Sequence, residues 1–347
     1  MSNQVMLPRE SGSFIASHSK DVSLCEEGIS RASEIVFKSL KSNAYSYKTW
    51  KDHELHPKEM SKATVDWIFV LDTLNFSFWV DDGLEPWTIR HKGKDFQGYW
   101  ALCAGINRAI EEGIHLTSPS YYRNITIDDL KHIFRSETST EMPLLEERAK
   151  NLRETGNILA QTFQNSFAHM ILLANKSAKL LLSMVINNFD CFRDDGDFCN
   201  QKVSFYKRAQ ILIADTWACF EGKGFGEFPD IDFLTMFADY KVPQGLYDLG
   251  VLQFSEALKQ KLVTGQLIPH GDQLEMEIRG NSIWAVEKIY LAVKLKAKKS
   301  PEFSNMDSLE LAQYLNSVII DFYLWDFSKN VEARASIPCH KTRTIFY

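Results

Sequence analysis

The chain has no basic surplus. Its 39 lysines and arginines face 45 aspartates and glutamates, a formal net charge of −6. A protein that grips nucleic acid through its backbone carries the opposite excess, although a local basic pocket for one phosphate remains compatible with this balance. Cysteine pairs are also missing. Cys25, Cys103, Cys191, Cys199, Cys219 and Cys339 form no CxxC, so a zinc ribbon or a dense disulfide scaffold is excluded and reduced thiols in a cytosolic or nuclear protein are expected. Long apolar runs are absent. Even AHMILLANKSAKLLLSMVI is interrupted by Lys176 and Lys179, too broken to span a bilayer. The opening MSNQVMLPRESGS lacks the apolar stretch of a secretory signal. There is no HExxH, no Walker phosphate loop, no internal repeat and no low-complexity linker.

What remains is enough for a sizeable core: 347 residues, 45% apolar and 24% charged, with 8 Trp, 12 Tyr and 23 Phe. So many rings suit a deep interior or a pocket that stacks flat ligands. Most of the chain reads as helix. Val22, Ile29, Ala32, Ile35, Val36 and Leu40 recur at three-to-four spacing, and Met60–Leu74 continues in that style. From Phe76 to Phe96 the pattern turns aromatic and β-branched, with turn signals at Asp82-Gly83 and Lys92-Gly93, predicting a small antiparallel element around residues 76–97. Helix resumes at Gly98 and ends near Gly113, Thr126 caps another, and Pro143 opens a long one. Further helices are predicted over 166–188, 205–221, 254–264, 281–296 and 307–329. The expectation is one mainly α-helical domain spanning residues 1–347 with a minor β element.

Several motifs favour ordinary readings. Gly222-Lys223-Gly224-Phe225-Gly226 follows a helical pattern and reads as a connection. The acidic run Asp194–Asp197 lacks a calcium-loop ligand ladder and reads as an exposed turn. Lys207 and Arg208, at a helix start, read as surface, and so does His53 in its polar turn before Pro57. A cysteine–histidine nucleophile is not excluded by sequence.

Two segments are more informative. In Thr235–Gln244, Pro243 biases Val242 toward extended backbone, and in an extended stretch Phe237 and Asp239 project from one side. They either present a ring and a carboxylate to a ligand, or serve as a core residue and a helix cap, the reading favoured on pattern alone. In Val318–Phe327, Asp321 and Asp326 interrupt an apolar, aromatic helix. They lie five residues apart, roughly 140° around the axis, while Phe322 and Asp326 share a face. Either the acids face water, or a carboxylate held in apolar surroundings serves a developing positive charge, as glycosyl transfer requires.

At these places the chain resembles the queuosine salvage protein family, the queuosine 5′-phosphate N-glycosylase/hydrolases. The resemblance rests on PRESGSFIASHSKDVSL, VDWIFVLDTLNFSFW, GYWALCAGINRAIEEGI, VSFYKRAQILIADTWACFEGKG, TMFADYKVPQ, EIRGNSIWAVE and DFYLWDFSK, in family order from about Pro8 to Tyr347. It implies a helical protein whose core is similar to the helix-hairpin-helix DNA glycosylases. It implies hydrolysis of the N-glycosidic bond of queuosine 5′-monophosphate, releasing queuine for reuse in transfer RNA, with no metal or organic cofactor. Asp326 matches the active-site aspartate; His53, Phe237, Asp239, Asp321 and Phe322 match the queuine contacts. A relative carries Tyr at the position of Phe322, so the ring is kept here and its hydroxyl is not. Lys207, with Arg208 or Lys241, is the candidate for the 5′-phosphate. The expected partners are small molecules, with no stable nucleic-acid binding and no membrane, and the expected state is a cytoplasmic or nuclear monomer. The competing readings are a glycosylase acting on bases in nucleic acid and a non-enzymatic helical adaptor.

Overall fold

The computed structural model describes residues 5–42, 46–331 and 335–347. The chain packs as two compact units, each assembled from separated stretches. The first comprises Met1–Tyr47, Asp194–Gln210 and Pro229–Arg343; the second comprises Lys48–Arg193, Ile211–Phe228 and Thr344–Tyr347. Both are mainly helical, and no helix among the described residues is long and apolar enough to cross a membrane.

The first unit is organised on one helix, Gln273–Ala297. Sequence periodicity predicts its start near 281, eight residues late, and the reason is physical. The first turns carry Glu275, Glu277 and Arg279, all fully buried, so the segment lacks the polar face that marks an amphipathic helix. Each buried charge must find a partner, and each ties down another part of the chain. Glu277 accepts the amides of Lys20, Asp21 and Val22 at 3.0, 2.7 and 3.1 Å. Glu287 accepts Arg9 Nε at 2.7 Å and Ser317 Oγ at 2.7 Å. The helix Pro8–His18 crosses closely: a Cβ on Gly280 would meet Ile15 at 2.5 Å, and one on Gly12 would meet Ile283 at 2.8 Å.

Small antiparallel pairs complete this unit. Val22–Leu24 pairs with Leu252–Phe254, and Asp195–Phe198 pairs with Gln201–Ser204. Val22 is therefore a strand residue, and the helix predicted from it begins at Glu26. The acidic run that reads as an exposed turn is the start of the second pair, and Asp194 is 1% exposed. Lys207 and Arg208 are buried as well, at 5% and 1%, where sequence favours surface.

In the second unit the predicted β element is one hairpin, Thr88–His91 with Lys94–Gln97. Lys92 and Gly93 both have positive φ, 49° and 77°, matching the two-residue turn that suits strand twist. The Asp82-Gly83 turn joins no strands. Thr126 caps Ile127–Ile133 through a reciprocal capping box with Asp129. The helix assigned to Pro143 begins at Leu145, after Leu144 in the left-handed region (φ 55°). The predicted 166–188 helix is two, Phe167–Leu173 and Ala178–Asn188, because Asn175 and Lys176 take positive φ. In the first unit 307–329 likewise divides into Ser308–Tyr314 and Ser317–Val331.

Candidate functional site

Five of the six residues carried over by the resemblance lie in the first unit, together with Lys207. The stretch from Leu234 to Asp239 has no regular structure, and side chains hold its backbone. Gln210 Oε1 accepts the Thr235 amide at 2.8 Å, and Gln210 Nε2 donates to Thr235 Oγ1 at 3.0 Å. The Phe237 amide donates to Asp321 Oδ1 at 2.8 Å. Asp239 Oδ1 accepts the amides of Lys241 and Val242, each at 2.9 Å. Asp239 thus caps the helix Val242–Asp248, in which Pro243 occupies the first turn and its missing N–H leaves no gap. The proline opens a helix here and does not hold Val242 extended.

Asp321, Phe322 and Asp326 lie on Ser317–Val331. Asn316 Oδ1 accepts the Ile319 amide at 3.0 Å at its start, and Ser317 is tied to Glu287 as described. The helix Val242–Asp248 approaches it so closely that a Cβ on Gly245 would fall 2.1 Å from Ser328 Oγ. Such proximity brings the rings of Phe237 and Phe322 to a centroid distance of 6.0 Å at 58°, within the range of interacting aromatics. Phe237 and Asp321 are buried, and Asp239 is 9% exposed. Asp326 is half-buried, about 7.5 Å along the axis from Asp321.

Burial pushes the Asp321 carboxyl well above the usual carboxylate range, and the nearby charge of Asp239 pushes it further; the Phe237 amide and Lys207 oppose this. Burial raises Asp239 too, against Lys207 and the two amides it caps. Two acids with one buried lysine resist holding two negative charges together. A ligand that brings N–H donors or a cation relieves that crowding, and the rings supply apolar walls.

His53 belongs to the second unit. Its ring stacks on Trp100 with centroids 3.4 Å apart and planes 14° apart, and Lys58 Nζ donates to its carbonyl at 2.6 Å. Behind it His56 is buried, with Nδ1 2.6 Å from the Trp50 carbonyl and Nε2 2.8 Å from Tyr99 Oη. A carbonyl only accepts, so Nδ1 carries the proton and Nε2 accepts from the tyrosine. Burial lowers the His56 pKa to about 3.

Sequence reasoning misses the Asp194–Arg279 pair. Arg279 donates to Asp194 Oδ1 at 3.0 Å and Oδ2 at 2.5 Å, to Glu275 Oε1 at 3.2 Å and to the Ala238 carbonyl at 2.9 Å. The available signal was Arg279 itself, a cation amid residues that a central helix buries.

Rings, two buried acids and a buried lysine on a helical scaffold form a candidate site whose chemistry suits a small, flat, donor-rich molecule. Comparison with known proteins identifies the chain more closely. It belongs to the queuosine salvage protein family, whose sequence profile matches residues 55–347. Three relatives bear the name queuosine 5′-phosphate N-glycosylase/hydrolase. The Bos taurus protein is 44% identical, covering 99% of both chains. The Mus musculus protein is 42% identical, covering 98% of each. The Sphaerobacter thermophilus protein is 42% identical, covering 86% of each.

Proposed function

We propose that the protein hydrolyses the N-glycosidic bond of queuosine 5′-monophosphate and releases queuine. The observation that carries this reading is near full-length similarity to relatives named for that activity, in a chain whose matching acids Asp239 and Asp321 are buried beside the Phe237–Phe322 ring pair. The same coverage supports one functional domain over residues 1–347. The helical composition is compatible with a core like that of the helix-hairpin-helix glycosylases. The function also fits a cytoplasmic or nuclear monomer whose partners are the nucleotide and queuine rather than nucleic acid or membrane.

In this reading Asp326 is the catalytic residue. Breaking the ribosyl C–N bond builds positive charge on the sugar, and a carboxylate beneath the anomeric carbon stabilises it before water completes hydrolysis. Phe237 and Phe322 stack the 7-deazaguanine base, while Asp239 and Asp321 accept its N–H groups or its cationic side arm. His53 is assigned to queuine on the resemblance alone. Lys207 is assigned to the 5′-phosphate; its position beside both acids also makes it the cation that keeps them tolerable before substrate arrives.

Incubation with queuosine 5′-monophosphate should yield free queuine and ribose 5-phosphate, detected chromatographically. Asp326→Asn should lower turnover roughly 100- to 1000-fold, the cost of removing one preorganised charge partner. Wild-type turnover in that variant removes Asp326 from the mechanism, and absence of queuine with the unaltered protein rejects the function.

A further inference from the structure

We propose that Arg279 is a positioning residue: from the central helix it fixes both the Phe237–Asp239 segment and the backbone at Lys207, and so sets affinity for the ligand. The inference rests on the function proposed above for its kinetic readout, but its geometry stands independently.

Arg279 is fully buried, and its guanidinium lies 4.0 Å above the Phe205 ring. A planar guanidinium presents a rigid fork of donors, and here the donors divide between two tasks. Nε holds the carbonyl of Ala238, the residue between the candidate stacking ring and the candidate acid. The two terminal nitrogens grip both oxygens of Asp194. Asp194 in turn accepts the Lys207 amide through Oδ2 at 3.2 Å and the Phe205 amide through its carbonyl at 2.9 Å. One side chain therefore joins two segments, far apart in sequence, that carry candidate ligand groups. The 234–239 stretch has no helix or strand of its own to set its course. Asp321 holds it at the Phe237 amide from one neighbouring helix, and Arg279 holds it at the next residue's carbonyl from another. With the second hold released, Phe237 and Asp239 lose registration with Phe322 and Asp321. Asp326, on Ser317–Val331, keeps its own anchor through Ser317 and Glu287.

This division of labour predicts a specific kinetic signature. Arg279→Lys keeps a cation but loses the fork. It should raise KM for queuosine 5′-monophosphate about tenfold while kcat changes by less than about threefold, because the ligand wall moves and the catalytic carboxylate does not. Glu277→Gln is the control. Glu277 lies on the same helix two residues earlier and is equally buried, but its carboxylate accepts the Lys20–Val22 amides and Gln273 Nε2, none of them in the 234–239 stretch or at Lys207. It should lower the melting temperature comparably and leave KM within twofold of wild type. Hydrogen exchange supplies a readout that needs no turnover: peptides covering 235–242 should lose protection in Arg279→Lys and retain it in Glu277→Gln. If Arg279→Lys does not fold, Asp194→Asn, which preserves shape and loosens the same fork, should shift KM and exchange in the same direction. The inference is overturned if exchange over 235–242 is unchanged in the folded variant. It is also overturned if KM stays within twofold, or if Glu277→Gln shifts both quantities equally. Loss of queuine release by the unaltered protein strikes the functional reading instead, and the exchange result then decides Arg279 by itself.

Discussion

The first unit buries carboxylates in two opposed ways. Asp194 and Glu275 face a guanidinium: Arg279 forks onto Asp194 and reaches Glu275 at 3.2 Å. Burial alone would raise Glu275, but His270 and Arg279 outweigh it and hold its pKa down to about 2. Asp321 feels the like charge of Asp239, with Lys207 near both acids and Lys241 near Asp239, and burial raises both. The first arrangement is settled within the protein. The second is not, because a pair of like charges in a low-dielectric site is relieved only by a proton or a ligand. Buried acids of the first kind hold a fold together; acids of the second kind await something. That contrast singles out Asp239 and Asp321 as candidates on grounds separate from the family match.

The contrast is broken most directly at the settled pair. Asp194→Ala removes from buried Arg279 the carboxylate that it grips with both terminal nitrogens. Removing one partner of a buried ion pair costs about 3–5 kcal/mol, so a denaturant titration should show a loss of that size. If the loss were under about 1 kcal/mol, Asp194 would not be the partner that the geometry makes it. At the crowded pair the expectation reverses. Asp321→Asn keeps an oxygen for the Phe237 amide and removes a charge, so the variant should be at least as stable as wild type at neutral pH, while ligand affinity falls.

The pH dependence sharpens the same comparison. The folded protein favours protonated Asp321, so between the ordinary carboxylate pKa and the raised one the native state binds more protons than the unfolded state. Stability from this group is therefore fully present at low pH and lost as pH rises through the folded pKa. Asp321→Asn lacks that loss. The difference in melting temperature, variant minus wild type, should grow as pH rises from about 4. A constant difference across this range would mean that Asp321 is not carrying the burden assigned to it.

How much of this was legible in the sequence follows the same division. The helical class, the Lys92-Gly93 turn, the Thr126 cap and the aromatic acid-bearing helix are local signals, and local signals survive into the structure. Phe237 and Asp239 were visible as a pair, and the cap that Asp239 makes on the next helix was the reading that pattern favoured; the extended backbone expected at Val242 was not found, because Pro243 opens that helix. What sequence missed is long-range. Asp194 looks like any acid in a polar turn, and Lys207 like any lysine at a helix start, until the central helix buries them. The early start of that helix was hidden for one reason: Glu275, Glu277 and Arg279 look exposed to a periodicity argument, yet Glu277 and Arg279 are met by partners distant in sequence, and Glu275 is buried against Arg279 and Gly271. No pattern along the chain encodes such a meeting.

The second unit shows a third way to bury an ionisable group, and yields the smallest expected effect at neutral pH. His56 has neither an arginine to settle it nor a carboxylate to crowd it. It is kept neutral, stacked on Trp50 at 3.8 Å and bonded through both nitrogens to the Trp50 carbonyl and Tyr99. With a folded pKa of about 3 against an ordinary value near 6.5, the unfolded chain binds the extra proton between those limits. This contribution to stability is present above about pH 6.5 and is lost as pH falls toward 3, by up to about 1.4 kcal/mol per pH unit. His56→Gln offers an amide where the imidazole was and cannot be charged. At pH 7 it should cost about 1–2 kcal/mol through imperfect packing and bonding, and the deficit should shrink, then reverse, as pH is lowered. Melting curves of both proteins between pH 7 and pH 4 test this. Parallel curves would show that the folded His56 pKa is not displaced from its ordinary value, and that burial does not hold the ring neutral.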